Sequence, residues 1–308
     1  MRDTIDTWKT KGQFAGHETF PLRLLWLKKA YDAVNGGVPT TSFHEPDAIS
    51  RFGVGRNMAV SMRYWALAAR IMEDKNKILV ETDLGKAIFS ENGLDPFIER
   101  HATLWLVHWN FASDPELTTT IYFAFNAISS AEFDAVSIVE GLEALVAKKG
   151  WRASAVTLKR DVEVFLRSYV RREDVSIEDA AEPLLAELGL VRGNKLGNWY
   201  EFVRGPKPTL PDGVFAYALG AFWERNSYDI AALSFEQICY APGSPGRVFK
   251  LDEDSVATRL MNLESLTDGA WVWTDTAGLR QIQRQRKVDL LNILEQAYSK
   301  KLTRQNSL

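Results

Sequence analysis

The sequence is poor in the residue types that most often carry chemistry. Its 308 residues include one cysteine, Cys239, and four histidines. A single thiol excludes an internal disulfide and an all-cysteine zinc site. His17, His44, His101 and His108 show no metal-ligand spacing, and the His17–Glu18 pair lacks the second histidine of an H-E-x-x-H helix. No G-x-x-x-x-G-K-[ST] loop is present. GVG at 53–55 follows a helical pattern rather than a strand, so it does not mark a dinucleotide site, and no organic cofactor is expected. A G-x-S-x-G elbow is absent as well. Positive charge is not in excess: Lys and Arg number 37 against 40 Asp and Glu, a formal net charge of −3. Any case for nucleic acid must therefore rest on local patches. No apolar run approaches the roughly 18 residues of a membrane span. The opening stretch MRDTIDTWKTKGQF has no apolar signal core. A cytoplasmic chain that does not engage a membrane is the expectation.

What is present is patterned helix and short strand. The length predicts two or three domains. PLRLLWLKKAYDAV has amphipathic spacing, with Thr19 as its cap and Pro21 in its first turn. A short helix after Asp47, the GVG turn and a longer helix carrying Met58, Met62 and Trp65 then form a helix-turn-helix pattern. KILVETDLGKAIF follows as strand, turn and short helix. Trp105, His108 and Trp109 share a helix face; packed core is its expected role, and a surface pairing two chains is the alternative. Helices are expected over IYFAFNAI, VSIVEGLEALVAKKG, LKRDVEVFLRSYVRR and AAEPLLAELG, with a strand at NWYEF. GPKPTLPDG, 205–213, reads as a linker. Beyond it, SFEQICYA starts at a serine without a full capping box. LDEDSVATRLMNLESLT makes a longer helix, AWVWTDTAGLRQI a strand and turn, and LRQIQRQRKVDLLNILEQAY a final helix. WTDTAGLRQI near residue 275 echoes VETDLGKAI near residue 80, an indication of repeated units. The predicted fold is mainly α with small β wings, built as tandem winged helix-turn-helix units. Its divisions are 1–113, an N-terminal winged-helix domain; 114–210, a central mainly helical domain with a basic patch; and 211–308, a C-terminal winged-helix-like domain.

In a winged helix the second helix of the pair reads base edges while nearby cations contact phosphates. Arg56, Asn57, Ser61 and Arg63 are the candidate readers of the first unit, since Arg pairs with guanine and Asn with adenine. The densest cation run holds Lys148, Lys149, Arg152, Lys159 and Arg160 against only Asp161 and Glu163. Further islands are Arg247 with Lys250, and Arg280, Arg284 and Arg286. These make double-stranded DNA the expected partner.

For chemistry, FAGHETFPLR is the remaining constellation. His17 can act as a base near neutral pH, Glu18 can hold a metal or orient water, and Arg23 can clamp a phosphate. The competing reading gives Glu18 and Thr19 to a helix start and lets His17 pack. A nuclease would take magnesium or manganese; no metal ligands are assigned.

GHETFPLR, FGVGRNMAVSMRYW, ETDLGKAIF, DPF and ATLWLVHW, in that order, resemble the SspB-like family of DNA phosphorothioation systems, bacterial proteins first catalogued as a domain of unknown function. The resemblance covers most of the first half of the chain and is less distinct beyond it. It implies a DNA-binding component of a phosphorothioate modification and anti-phage defence system that nicks one strand so that sulfur can enter the backbone. It also implies partner proteins: an ATPase, a reductase-like adenylating enzyme and a cysteine desulfurase. A homodimer is a further expectation. The alternatives are a non-catalytic winged-helix recognition subunit and a transcription regulator.

Overall fold

Three short antiparallel sheets of three strands each punctuate a mainly helical chain. A computed structural model describes residues 11–45, 48–171, 183–194, 199–227, 229–276 and 278–299. The proposed Asp47 cap lies outside these residues.

A common order of elements occurs three times, with one extra short helix in the third set. The first set is α1 (Trp26–Val34), β1 (Val38–Pro39), α2 (Ala48–Phe52), α3 (Arg56–Ala68), β2 (Met72–Lys75) and β3 (Ile78–Glu81). α4 (Asp83–Phe89) and α5 (His101–Ala112) lead to the second set. That set is α6 (Thr119–Asn126), β4 (Glu132–Asp134), α7 (Ala135–Lys149), α8 (Ala155–Tyr169), β5 (Val191–Gly193) and β6 (Trp199–Phe202). The third holds α9 (Asp212–Ser227), β7 (Ala232–Ser234), α10 (Phe235–Tyr240), α11 (Pro245–Val248), α12 (Glu253–Leu266), β8 (Trp271–Thr276) and β9 (Leu279–Arg284). α13 (Leu290–Ser299) closes the described chain. In each sheet the first strand pairs with the third, and the third with the second. The pairs Val38↔Leu79, Phe133↔Tyr200 and Leu233↔Ile282 set the three registers. Leu79, Phe133, Leu233 and Ile282 are all buried, so each register is fixed by one apolar face.

Local chemistry starts the helices. The Asp134 carboxylate accepts from the Ser137 amide at α7, and Ser154 accepts from the Thr157 amide at α8. At α10, Ser234 and Gln237 do form a reciprocal capping box, contrary to the sequence reading; glutamine at the third helical position serves as glutamate would. α1 also departs from expectation. It starts at Trp26, not after Thr19, because residues 14–25 form turns with positive φ at Glu18, Thr19 and Leu25. The last helix is shorter than expected. Residues 279–284 are a strand in which Ile282 points inward between partly exposed Gln281 and Gln283, a two-residue period inside a charged run. The echo between residues 80 and 275 therefore falls on different elements, although the order of elements does repeat. What was read as a helix ending at Gly189 is, in its described part, a 3-10 turn over Leu184–Leu188, ended by Gly189 at φ 60.

One continuous apolar core runs from Leu22 to Tyr298. At its centre α5 buries eleven of its twelve residues. That rules it out as a pairing surface and bears out its reading as core. His108 on this helix bonds Tyr169 Oη at 2.8 Å and the Val248 carbonyl at 2.9 Å. Burial pushes its pKa down to about 3, so it stays neutral. The carboxylate of Asp95 accepts from the Glu99 and Arg100 amides and from Thr103 Oγ1 at the start of α5. Tyr298 of α13 joins this group through its hydroxyl, 3.0 Å from Thr103 Oγ1. Among the described residues, no helix is long and apolar enough to cross a membrane.

The segment 205–213 is packed rather than extended as a linker. Leu210 is buried, and Lys207 donates to the Val203 carbonyl at 2.8 Å. Burial holds the Lys207 amine to about 8. An unfolded lysine keeps its proton up to about 10.4, so between these values unfolding takes up a proton and stability rises with pH. Urea unfolding from pH 7.5 to 9.5 should show this rise, and Lys207→Met should flatten it.

Candidate nucleic-acid interface

On α3 the residues at three- and four-residue spacing face outward. Arg56 and Asn57 are exposed and Arg63 is half-buried. Ser61 is not a reader: it is fully buried and faces the core with Met62 and Trp65. On α8, Val156, Lys159, Arg160 and Glu163 are exposed while Leu158, Asp161, Val162 and Phe165 are buried. The exposed residues form a stripe at positions i, i+3, i+4 and i+7. Lys148 and Arg152 are also exposed and Lys149 is half-buried, so the basic run of the second unit lies at the surface.

Of the third unit's candidates, Lys250 is buried, Arg247, Arg280 and Arg284 are half-buried, and Arg286 is exposed. Lys250 is buried, donates to the Phe125 carbonyl at 2.7 Å and stands 3.9 Å over the Phe202 ring. Burial, aided by Arg247 and Arg204, pushes its pKa well down. Arg247 gives its Nε to the Asn126 carbonyl. Arg280 lies 3.7 Å over the Phe235 ring and near Asp275. Arg284 covers Trp223, and Arg286 donates to the carbonyls of Thr267 and Asp268. Lys250 and Arg247 tie the third unit to α6 and β6, while Arg280, Arg284 and Arg286 make their contacts within it. Buried Lys250 is thereby withdrawn from any DNA surface, which a count of charges along the chain does not show. The exposed face of α12 carries Glu253, Asp254 and Glu264, while its one arginine, Arg259, is paired with Asp212 at 2.7 Å. A helix with this surface repels phosphate.

FAGHETF divides its residues between inside and outside. His17 is 5% exposed. Its Nδ1 accepts the Thr19 amide at 3.2 Å, so the other nitrogen carries the proton. That Nε2 lies 3.1 Å from Asp161 Oδ1 on α8. The imidazole stacks on Trp65 of α3, 15° from parallel, and meets Tyr64 edge-on. Asp161 also accepts from the Ala15 amide and lies 3.4 Å from Thr120 Oγ1. Gly16 lies flat on Tyr64: a Cβ there would sit 2.4 Å from the ring. With both ring nitrogens engaged and no open face, His17 is a clamp between α3 and α8 rather than a base for an outside substrate. Arg23 stands over the rings of Phe20 and Trp26 at 5.9 and 5.7 Å.

Glu18 is exposed. It shares with Arg63 a cleft of about 770 Å³ along α3. His44, exposed at the end of the Thr40–Phe43 turn, is close enough to feel this group. Its pKa is lowered by partial burial and then by Arg63 and Arg56, with Glu18 opposing. The lone His44 carried no sequence signal, because Glu18 reaches this patch only through the fold. No group of three or more His, Cys, Asp or Glu side chains among the described residues could hold a metal ion.

Residues 14–298 match the family described as a protein of unknown function, DUF4007. The chain belongs to this family. Its fold is similar to that of the magnesium ion-bound SspB crystal structure, at a TM-score of 0.82 and 24% identity, over 96% of this chain and 89% of that one. A second SspB crystal structure aligns at a TM-score of 0.79 and 24% identity, over 92% and 86%. No curated protein matches. This DUF4007 chain thus has an SspB-like fold across both halves, including the second half, where its motifs are less distinct.

Replacing His17 with Ala leaves Asp161 buried with fewer donors, and should cost about 2 kcal/mol of stability. Asp161→Ala should cost a similar amount. The double variant should cost clearly less than the sum, as measured by urea unfolding.

Proposed function

We propose that this protein is a DNA-binding component of a phosphorothioate modification and defence system, with nicking of one strand as its chemical step. In this reading the repeated sets are winged helix-turn-helix units. α3 and α8 are the recognition helices, and the hairpins β2–β3 and β5–β6 are wings beside them. The observation that carries the reading is the outward face of α8, which presents Lys159 and Arg160 on the helix that a winged helix lays in the major groove. Arg56 and Asn57 extend the contact from α3. The SspB-like fold supports the assignment to a phosphorothioation system. The acidic face of α12 is then available to the protein partners of such a system, an ATPase, a reductase-like enzyme and a cysteine desulfurase, rather than to DNA.

For nicking, the site is the exposed group of Glu18, His44, Arg56 and Arg63 in place of the buried His17. Arg56 and Arg63 hold the phosphate by charge-assisted hydrogen bonds. His44, whose pKa is lowered by partial burial and then by Arg63 and Arg56, takes a proton from the attacking water. A single protein carboxylate fits magnesium or manganese, which bind phosphate oxygens and water as readily as side chains. Glu18 would hold the ion, which supplies charge stabilisation to the phosphate. A non-catalytic recognition subunit is the second reading, favoured by the structural use of His17, the residue with the clearest catalytic character in the sequence.

Supercoiled plasmid with magnesium or manganese should give open circles. Glu18→Gln and His44→Ala should each abolish that product while leaving duplex affinity unchanged. If wild type gives none in either metal, with or without the partner proteins, the recognition-subunit reading stands. Lys159→Gln with Arg160→Gln should weaken duplex binding and reduce the salt dependence of log affinity by about 0.9 per lost phosphate contact. Fluorescence anisotropy across a salt series measures it.

A further inference from the structure

We infer that the surface between residues 11–14 and the start of α8 is a furrow for one unpaired DNA strand, with a base held against Trp151. The inference rests on the DNA reading above and goes beyond the recognition helices. A cavity of about 1080 Å³ opens there, bordered by Lys11, Phe14, Trp151, Arg152, Ser154 and Thr157. Trp151 is half-buried and firmly placed. α7 ends at Gly150 with φ 64, and the Trp151 amide bonds back to the Val146 carbonyl. Gly12 lies against the indole, where a Cβ would come within 2.5 Å of the ring. Phe14 meets it at 6.4 Å and 59°. The indole still borders the cavity, as do the exposed Lys11 and Arg152. The amino end of α8 adds its partial positive charge.

An aromatic surface and two cations on one cavity match a nucleotide whose base is unstacked and whose phosphates need partners. A duplex keeps its base faces inside the stack, so the indole is of use only to a strand that has been opened. The furrow also leads somewhere. Gln13, Glu116 and Leu117 border both this cavity and the cleft along α3 that contains Glu18 and Arg63. One strand laid along the furrow therefore runs from Trp151 to the exposed group proposed for nicking. Among the described residues Glu116 is the one acid on the Trp151 cavity, and it stands at this junction.

The test compares a labelled oligothymidylate with a labelled duplex by anisotropy. Wild type should bind both. Trp151→Ala should lower single-strand affinity about fivefold or more, the effect of losing one stacked base. Duplex affinity should stay as in wild type, and Trp151→Phe should restore single-strand binding. Should Trp151→Ala fail to fold, Lys11→Gln with Arg152→Gln provides the second arm. Both are surface changes and should lower the single-strand salt slope by about 0.7 each. Unchanged single-strand affinity in Trp151→Ala overturns the inference, as does duplex binding by wild type without single-strand binding. Wild type that binds neither overturns the DNA reading itself.

Discussion

The buried carboxylate of Asp161 is the constraint around which the first two units are arranged. It sits on α8, inside the core, where an unpaired charge would cost several kcal/mol. Its donors come from outside α8: the Ala15 amide, His17 Nε2 and Thr120 Oγ1. The chain before α1 must therefore cross from the first unit to the second, and His17 must enter with its proton on Nε2. The Thr19 amide fixes that tautomer, and Trp65 and Tyr64 of α3 fix the ring plane. Arg167 of α8 adds a bond to the Thr19 carbonyl. α3 and α8 belong to different repeats, yet one imidazole touches both. Their spacing is thus a property of the native core rather than of a flexible connection.

The crossing has a conformational cost. Ala15, Glu18, Thr19 and Leu25 all have positive φ without being glycine, each unfavourable by about 1 kcal/mol or more. A helix from Thr19 would have avoided it, and local propensity favours that helix. The buried carboxylate and the stacked ring outweigh propensity here, and the same turns leave Glu18 outside while His17 goes in. Strain held in place by tertiary contacts beside an exposed carboxylate is what a site shaped for a bound group requires.

Much of the architecture was legible. The pattern of residues placed α3, α5, α7, α8 and α12, and the aromatic face of Trp105, His108 and Trp109 pointed to α5 as core. The repeated order of elements could be read, although the sequence echo chosen for it aligned different elements. Three kinds of information were not legible. A charged run hides a strand when only one residue in it, Ile282, is apolar and inward. Proline and glycine at 205–213 suggest a linker until Leu210 and Lys207 are seen inside. And the roles of the cations depend on facing: Arg280 and Arg284 lie on aromatic rings, Lys250 lies under Phe202, while Lys159 and Arg160 reach solvent. FAGHETF was ambiguous between capping and catalysis because it is neither as a whole; adjacent residues have opposite surroundings.

The three repeats have separate electrostatic characters despite a shared topology. In the second unit cations stand outside on α8. In the third Lys250 is buried and Arg280 and Arg284 lie on rings, and α12, the equivalent helix, shows acids instead. Arginine suits the inward role because its planar, weakly hydrated head stacks on rings while still donating to carbonyls. Once those side chains stabilise the core, they cannot also neutralise phosphate. A net charge of −3 over the whole chain is therefore compatible with a local cationic surface on α8, and a triplicated fold can keep the helix α12 for contacts of the opposite sign.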